Sequence, residues 1–208
     1  MEEQIVQQSI LNVGAGKIDP LFLPSLESYF LVNLDIAYEN ERCTSIPTIE
    51  EFYKDWDHAS QHTSSIRKIL YCNKSWEDFF PSYRVKFDKV VLCRFLEHVR
   101  MTQVLFFIYS MSTVVKVGGT VDVIVPNYDD LAKCILEEDP GGYEFDAHNI
   151  LTTTKLLNEP EDPHASIWTP NRVKYFFELE RRFKVEKLTE TFKFDGRDIY
   201  MWFSVKRI

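Results

Sequence analysis

Short apolar runs rich in β-branched residues recur along the chain, and longer segments of mixed polarity separate them. These runs predict seven strands, at about residues 9–13, 30–35, 67–72, 88–93, 119–125, 183–188 and 199–206. Most of the intervening segments carry the apolar spacing of helices that pack on a sheet. Strands that alternate with helices over the first two thirds of the chain predict parallel pairing through right-handed crossovers.

Two of the predicted helices have clear boundary signals. The segment 101–116 carries the apolar stripe of a helix, and Gly118 and Gly119 are expected to turn the chain into the next strand. A later helix over 171–183 is preceded by Thr169 and Pro170, which are expected to cap and start it.

The last two predicted strands differ from the rest, because only about ten residues, including Asp195 and Gly196, separate them. That connection is too short for a helical crossover, so the two strands are expected to pair antiparallel. The sequence therefore predicts an α/β, Rossmann-like, doubly wound sheet of seven strands, mostly parallel and ending in an antiparallel hairpin.

The length of 208 residues fits a single domain over 1–208. Two segments are longer than plain crossovers: a polar insert at about 37–65, and an insert at about 129–168. The second follows the carboxyl end of a strand, which is the side of a parallel sheet on which ligands bind. We therefore expect it to lie on the substrate side.

Composition and charge narrow the class of protein. A hydrophobic share of 45% and a charged share of 27% are typical of a soluble globular domain. The net charge of −8 disfavours a protein that binds nucleic acid by neutralising phosphates, and it favours a small or neutral partner. The sequence leaves the oligomeric state open.

The cysteines and the N-terminus bear on the compartment. Cys43, Cys72, Cys93 and Cys134 are scattered without the spacing of a metal site or a disulfide framework, which indicates reduced thiols and no bound metal. The first residues lack the basic region and apolar core of a signal peptide, and no apolar stretch reaches membrane-spanning length. The prediction is a cytoplasmic protein.

The first two predicted strands end in a pattern that suits a nucleoside. Gly14, Ala15 and Gly16 close the first strand, and Asp35 ends the second. Glycines let the backbone approach a ligand closely, and a carboxylate can accept both ribose hydroxyls. Without a ligand, the same residues would form only a tight turn and a strand-end or capping acid. Asp19 stands where glycine would complete GxGxxG, which argues against an NAD-dependent oxidoreductase.

Four blocks in order extend this pattern: residues 10–16 (ILNVGAG), Leu34 with Asp35, residues 87–99 (FDKVVLCRFLEHV) and residues 117–127 (VGGTVDVIVPN). Together they resemble the class I S-adenosylmethionine-dependent methyltransferases, and more narrowly the branch with an LEHV block after the fourth strand. The resemblance covers nearly the whole chain. It implies S-adenosylmethionine as cofactor and methyl transfer to a small-molecule, sugar or lipid-linked acceptor.

The resemblance also implies which residues contact the cofactor. The glycine turn would lie under the methionine part, Asp35 would hold the ribose, residues 73–77 would meet the adenine, and residues 93–95 would line the sulfonium side. The implied contacts are Asn12, Gly14, Ala15, Gly16, Asp35, Asn73, Trp76, Cys93, Arg94, Phe95 and His98. For Trp76, packing in the core is an equally good interpretation.

Acceptor-side candidates come from strand ends and from the second insert. Asn127, Tyr128 and His148 are the predicted substrate contacts, and His98 and His164 are candidates for a catalytic base. A base is needed only if the acceptor is a hydroxyl or a protonated amine. The plainer interpretation is that His98 is part of a helix start and that the loop histidines are exposed.

Two departures from the family pattern keep a second class open. Asn12 stands where the family usually has an acidic residue that helps hold the cofactor's ammonium group, and Ile18 stands where a third glycine is common. A catalytically silent binding or scaffolding module with the same fold is therefore the alternative. Methylation of nucleic acid is disfavoured, because Cys93 to Leu96 replaces the block of Asn or Asp, two prolines and an aromatic that such enzymes carry.

Overall fold

The computed structural model describes residues 8–14, 29–34, 67–72, 74–136, 165–194 and 197–208. Its strands are β1 (Gln8–Val13), β2 (Tyr29–Leu34), β3 (Arg67–Cys72), β4 (Phe87–Cys93), β5 (Val115–Pro126), β6 (Phe183–Phe194) and β7 (Arg197–Arg207). Its helices are α1 (Trp76–Ser82), α2 (Val104–Val114), α3 (Tyr128–Leu136) and α4 (Pro170–Glu180), with 3₁₀ turns at Leu96–His98 and Met101–Gln103. The predicted insert at 37–65 and residues 137–164 of the second insert lie outside the described residues.

None of the described helices is long and apolar enough to cross a lipid bilayer.

The strands hydrogen-bond in the order β3-β2-β1-β4-β5-β7-β6. β1 pairs in parallel with β2 and β4, and β2 pairs in parallel with β3. Only residues 195–196 join β6 to β7, so these neighbours form a hairpin and run antiparallel. The predicted α/β Rossmann-like fold, mostly parallel with an antiparallel terminal hairpin, is confirmed. The hairpin connection is shorter than expected because the run 189–194, rich in Thr and Phe, continues β6.

The chain divides into two compact units, each assembled from separate segments. The first unit comprises Met1–Cys93, Ser110–Val121 and Arg207, and the second comprises Arg94–Tyr109, Asp122–Lys206 and Ile208.

The core of the first unit is built on the centre of the sheet and on α1. Ile10, Leu31 and Val91 form a buried cluster on adjacent strands. In the same unit, the ring of Tyr83 stacks on Phe79 and Phe87, with centroid distances of 4.5 Å and 5.5 Å. Burial of such apolar and aromatic surface is the main source of folding free energy, so these strands form the stable base of the site described below.

Asp88, near the start of β4, ties β1 to β5. Its Oδ2 accepts hydrogen bonds from the Ser9 backbone N (2.9 Å) and the Ser9 Oγ (2.6 Å), and its Oδ1 accepts one from Lys116 Nζ (2.8 Å). Burial raises the pKa of Asp88, but the hydrogen bonds from Lys116 and Ser9 and the Lys116 charge outweigh that effect, so the pKa lies below its ordinary value. Asp88 therefore stays ionised in the folded protein near neutral pH.

The boundary between α2 and β5 differs from the prediction. The helix runs from Val104 to Val114 rather than over 101–116, and Gly118 and Gly119 lie inside β5 instead of turning the chain into it. Val115 and Val117 are β-branched and favour a strand. A Cβ on Gly119 would lie only 2.8 Å from the Asp88 carbonyl oxygen, so glycine permits the close approach of the two strands at that point.

The helix α4 begins as predicted and ends earlier. Thr169 caps it, with Oγ1 accepting a hydrogen bond from Arg172 N (3.3 Å), and Pro170 is its first residue. It ends at Glu180, because Arg181 adopts a left-handed φ of 62° that stops the helix. In the second unit, α4 packs through Phe177, whose ring lies 5.5 Å from that of Phe203.

Replacing Asp88 with alanine is expected to lower the free energy of unfolding by about 2 kcal/mol at neutral pH, since the buried Ser9 groups lose a charged acceptor. A carboxyl with a lowered folded pKa stabilises above its ordinary pKa of 3.8, and that stabilisation is lost as the pH falls through the folded value. Urea unfolding at several pH values should therefore show the two proteins converging at acid pH. Glu178→Ala, which removes an exposed acid of α4, is the control; a constant difference down to acid pH would contradict the assignment.

Candidate functional site

Gly14, the first residue of the predicted glycine turn, is held against the end of β2. Gly14 follows β1 directly and adopts a φ of 68°, a conformation that favours glycine. Its backbone N donates a 2.8 Å hydrogen bond to the carbonyl oxygen of Leu34, the last residue of β2. Asp35 comes next in the sequence. Ala15, Gly16 and Asp35 lie outside the described residues, so their cofactor roles stay predictions.

Just before this turn, two buried amides lie side by side. Asn12 and Asn33 are register partners on β1 and β2, exposed by only 2% and 1%. Asn12 Nδ2 donates to Asn33 Oδ1 at 3.0 Å, while Asn33 Nδ2 is buried and has no hydrogen-bond partner among the described residues. The sequence interpretation missed Asn33. Its signal was an amide inside the otherwise apolar run Tyr29–Leu34.

Two further predicted cofactor residues of the first unit lie against its core. Cys93, the last residue of β4, is half-buried and packs against the cluster of Ile10, Leu31 and Val91. Trp76 is the first residue of α1 and is buried, with its ring 6.1 Å from that of Phe80. That placement agrees with the core-packing interpretation of Trp76. Its contact with adenine stays a prediction, and Asn73 lies outside the described residues.

In the second unit, the chain after β4 makes a tight, well-anchored bend. Arg94 is exposed, with a left-handed φ of 54°, and its backbone N donates a 2.9 Å hydrogen bond to the Ile124 carbonyl oxygen of β5. The Phe95 ring packs 5.8 Å from that of Phe107 in α2. His98 is half-buried and ends the 3₁₀ turn, with its N bonded to the Phe95 carbonyl oxygen at 3.0 Å.

The segment 165–168 holds this turn in place. The Glu97 carbonyl oxygen accepts hydrogen bonds from Ala165 N (2.7 Å) and Ser166 N (2.9 Å). The Leu96 carbonyl oxygen accepts from Ser166 Oγ (3.0 Å) and Trp168 Nε1 (3.3 Å). Ser166 and Trp168 are both buried, and the indole also donates to Ser166 Oγ at 2.8 Å. Sequence reasoning did not single out either residue, because side-chain bonds to main-chain carbonyls follow no sequence spacing.

The start of α3 joins the same network. Tyr128 N donates to the Trp168 carbonyl oxygen at 3.0 Å. Burial raises the pKa of the Tyr128 phenol, and the charge of nearby Glu97 raises it further, so the phenol stays protonated and is a hydrogen-bond donor near neutral pH. Asn127 is buried; its Oδ1 accepts from Asp129 N (3.2 Å), as an N-cap does.

The predicted acceptor-side residues are thus only partly brought together. The turn Leu96–His98, the start of α3 and the segment 165–168 lie together, linked mainly through main-chain groups. Both polar atoms of the Asn127 amide bond to the first turn of α3, since its Nδ2 also donates to Asp130 Oδ2 at 2.6 Å. His148 and His164 lie outside the described residues. The substrate and base roles of these residues stay predictions.

Comparison with known proteins identifies the fold. No protein-family model matches the chain, and no match is found among curated proteins. Similar solved structures include a SAM-dependent methyltransferase of Methanosarcina mazei (16% identity, 97% of this chain and 93% of that one, TM-score 0.56). Another is the Burkholderia thailandensis 1,6-didemethyltoxoflavin-N1-methyltransferase with bound S-adenosylhomocysteine (10% identity, 97% of this chain and 71% of that one, TM-score 0.57). The chain therefore has the α/β Rossmann-like methyltransferase fold; membership of the LEHV branch stays a prediction.

Replacing Trp168 with phenylalanine is expected to lower the free energy of unfolding by about 2 kcal/mol, because the buried indole donor and part of its packing are lost. Thermal or urea unfolding measures the change. Tyr175→Phe is the matched control, since it also removes one polar group from an aromatic residue, but at a position that is 61% exposed. Equal effects of the two substitutions would show that the indole hydrogen bonds do not hold the turn.

Proposed function

We propose that this protein binds S-adenosylmethionine at the carboxyl ends of β1 and β2 and transfers its methyl group to a small-molecule, sugar or lipid-linked acceptor. The hydrogen bond from Gly14 N to the Leu34 carbonyl oxygen carries the proposal. It holds Gly14 against Leu34, the residue that precedes Asp35 in the sequence. Glycine lets the backbone approach a ligand closely, and Asp35 is the acid that we expect to hold the ribose.

The described residues fit such a ligand. Gly14 has a positive φ, which glycine adopts more easily than other residues. The buried Asn33 amide has a donor, Nδ2, without a hydrogen-bond partner among the described residues. A nucleoside presents hydroxyl oxygens that can accept from an amide and donate to a carboxylate. These groups recognise the ribose and say little about the acceptor.

Bound S-adenosylmethionine would supply an electrophilic methyl group. What the chain contributes is position, because orientation of two reactants at near-attack distance accounts for much of the rate of such a transfer. Tyr128, one of the predicted acceptor contacts, has a protonated phenol, the form that can donate a hydrogen bond. His98 or His164 takes up a proton if the acceptor is a hydroxyl or a protonated amine.

The net charge of the chain and its structural similarity to known methyltransferases support a small acceptor. The net charge of −8 disfavours a polyanionic acceptor. One structural neighbour was solved with the small molecule 1,6-didemethyltoxoflavin bound, and another, of Synechocystis, is a magnesium protoporphyrin IX methyltransferase with bound SAH (10% identity, 98% of this chain and 76% of that one, TM-score 0.50). These are properties of those proteins, and they make small organic acceptors the first to screen.

A catalytically silent module is the second candidate, and one observation favours it. The neutral Asn12 is engaged with Asn33, where an acid would help to hold the cofactor's ammonium group. Binding of the cofactor without transfer to any acceptor would be the mark of such a module. Incubation with cofactor labelled at the methyl group, against pools of metabolites and glycans, separates the two, because only an enzyme moves the label.

Replacing Gly14 with valine is expected to abolish binding of S-adenosylhomocysteine, because the new side chain occupies the space of the ligand. Isothermal titration calorimetry measures the affinity. Gly118→Val is the matched control. Its φ of 81° imposes a similar strain of about 1 to 2 kcal/mol, but it lies in β5 and no atom lies within 4 Å of its Cβ position. Normal binding by the Gly14 variant would rule out this location.

Replacing Asp35 with alanine is expected to weaken the same binding about tenfold to hundredfold, the worth of hydrogen bonds to a charged group. The folded state should persist, as judged by circular dichroism. Glu178→Ala controls for the loss of one negative charge. An affinity equal to that of the wild-type protein would remove Asp35 from the site.

A further inference from the structure

Asn33 has a polar group that the described fold leaves unused. Its side chain is 1% exposed, its Oδ1 accepts from Asn12 Nδ2, and its Nδ2 has no hydrogen-bond partner among the described residues. A buried donor without an acceptor costs free energy, and native proteins rarely keep one unless something else satisfies it. We therefore expect Asn33 Nδ2 to donate a hydrogen bond to an acceptor that does not belong to the sheet.

The register of the strands shows where that acceptor would lie. Side chains two residues apart on a strand share a face, so Ile10 and Asn12 lie on one face of β1, and Leu31 and Asn33 lie on one face of β2. The pairs Ile10–Leu31 and Asn12–Asn33 are in register. Toward the carboxyl ends, an apolar layer is thus followed by an amide layer, and then by the level of Gly14.

Asn12 keeps the spare donor of Asn33 available. Its own Nδ2 is directed to Asn33 Oδ1, which fixes that amide with the oxygen toward β1. With the oxygen engaged, the Nδ2 hydrogens of Asn33 are what the pair can offer to a ligand. The pair carries no net charge, so it can recognise a neutral oxygen acceptor without favouring a cation.

We propose that Asn33 is a ligand-contacting residue, which donates a hydrogen bond from Nδ2 to a ribose hydroxyl oxygen of the nucleoside, with Asn12 as the positioning residue. This inference rests on the proposed function. In the sequence, Asp35, the predicted ribose contact, stands two positions beyond Asn33. A hydroxyl that donates to the predicted Asp35 contact keeps lone pairs with which to accept from Asn33.

The Asn33 contact is not expected to distinguish the two forms of the ligand. A contact between a neutral amide and a ribose hydroxyl does not sense the charge at sulfur. Loss of the amide pair should therefore weaken the binding of S-adenosylmethionine and of S-adenosylhomocysteine by the same factor. Loss of a contact to the positively charged sulfur would instead change the ratio of the two affinities, because only S-adenosylmethionine carries that charge.

The test is a double-mutant cycle between protein and ligand. The variant carries Asn12→Leu and Asn33→Leu together, because changing one alone would leave the other buried amide without its hydrogen-bond partner. The ligands are S-adenosylhomocysteine and its 2′-deoxy and 3′-deoxy analogues, measured by calorimetry. We expect the variant to bind S-adenosylhomocysteine about fivefold more weakly, and the penalty for removing one of the two hydroxyls to be about fivefold smaller than in the wild-type protein.

Ligand-free stability provides a second readout. Replacing both members of a buried polar pair with apolar residues of similar size is expected to leave the melting temperature unchanged or raised. Ser9→Ala, also on β1 but bonded to Asp88, is the control that lowers stability without changing affinity. Equal penalties for both deoxy analogues in variant and wild type would overturn the Asn33 contact. If the wild-type protein binds no S-adenosylhomocysteine, the proposed function itself fails, and this assignment falls with it.

Discussion

The structure depends on a main-chain constraint at the carboxyl edge of the sheet, where the backbone N of Gly14 bonds to the carbonyl oxygen of Leu34. This bond continues the parallel pairing of β1 and β2 by one position beyond the strand, into a residue whose φ is positive. The ends of β1 and β2 therefore lie at one level of the sheet, where Val13 and Leu34 are in register. The proposed ligand would meet the backbone of Gly14 at this level, because glycine has no side chain to obstruct it.

Below that edge, an apolar pair and an amide pair follow one another on the same face of β1 and β2. Ile10 and Leu31 belong to the buried cluster, and the next layer on the same face is the amide pair Asn12–Asn33. An amide layer inside a sheet gives up the hydrophobic free energy that leucine would supply. Buried polar groups that lower the hydrophobic free energy are typical of positions that recognise a ligand. This supports the proposed contact of Asn33.

In the second unit, hydrogen bonds from other segments hold the irregular turn Leu96–His98. The turn Leu96–His98 is short, and the segment 165–168 bonds to its carbonyl oxygens through Ser166 and the indole of Trp168. Tyr128 N closes the arrangement on the Trp168 carbonyl oxygen. Residues far apart in sequence thus hold the imidazole-bearing turn, and this rigidity is what a positioning role in methyl transfer would need.

Periodicity and local chemistry determined the strand-bearing segments, the parallel order, the terminal hairpin and the cap of α4 at Thr169, because these follow from side-chain spacing and turn residues close in sequence. The likeness of motifs also indicated the fold. Only the tertiary structure decided that Gly119 lies inside β5, that Trp76 is buried, that Asn33 is partnered with Asn12, and that Trp168 holds the LEHV turn. Those outcomes depend on which distant backbone and side-chain groups come into contact, and no spacing along the chain encodes such contacts.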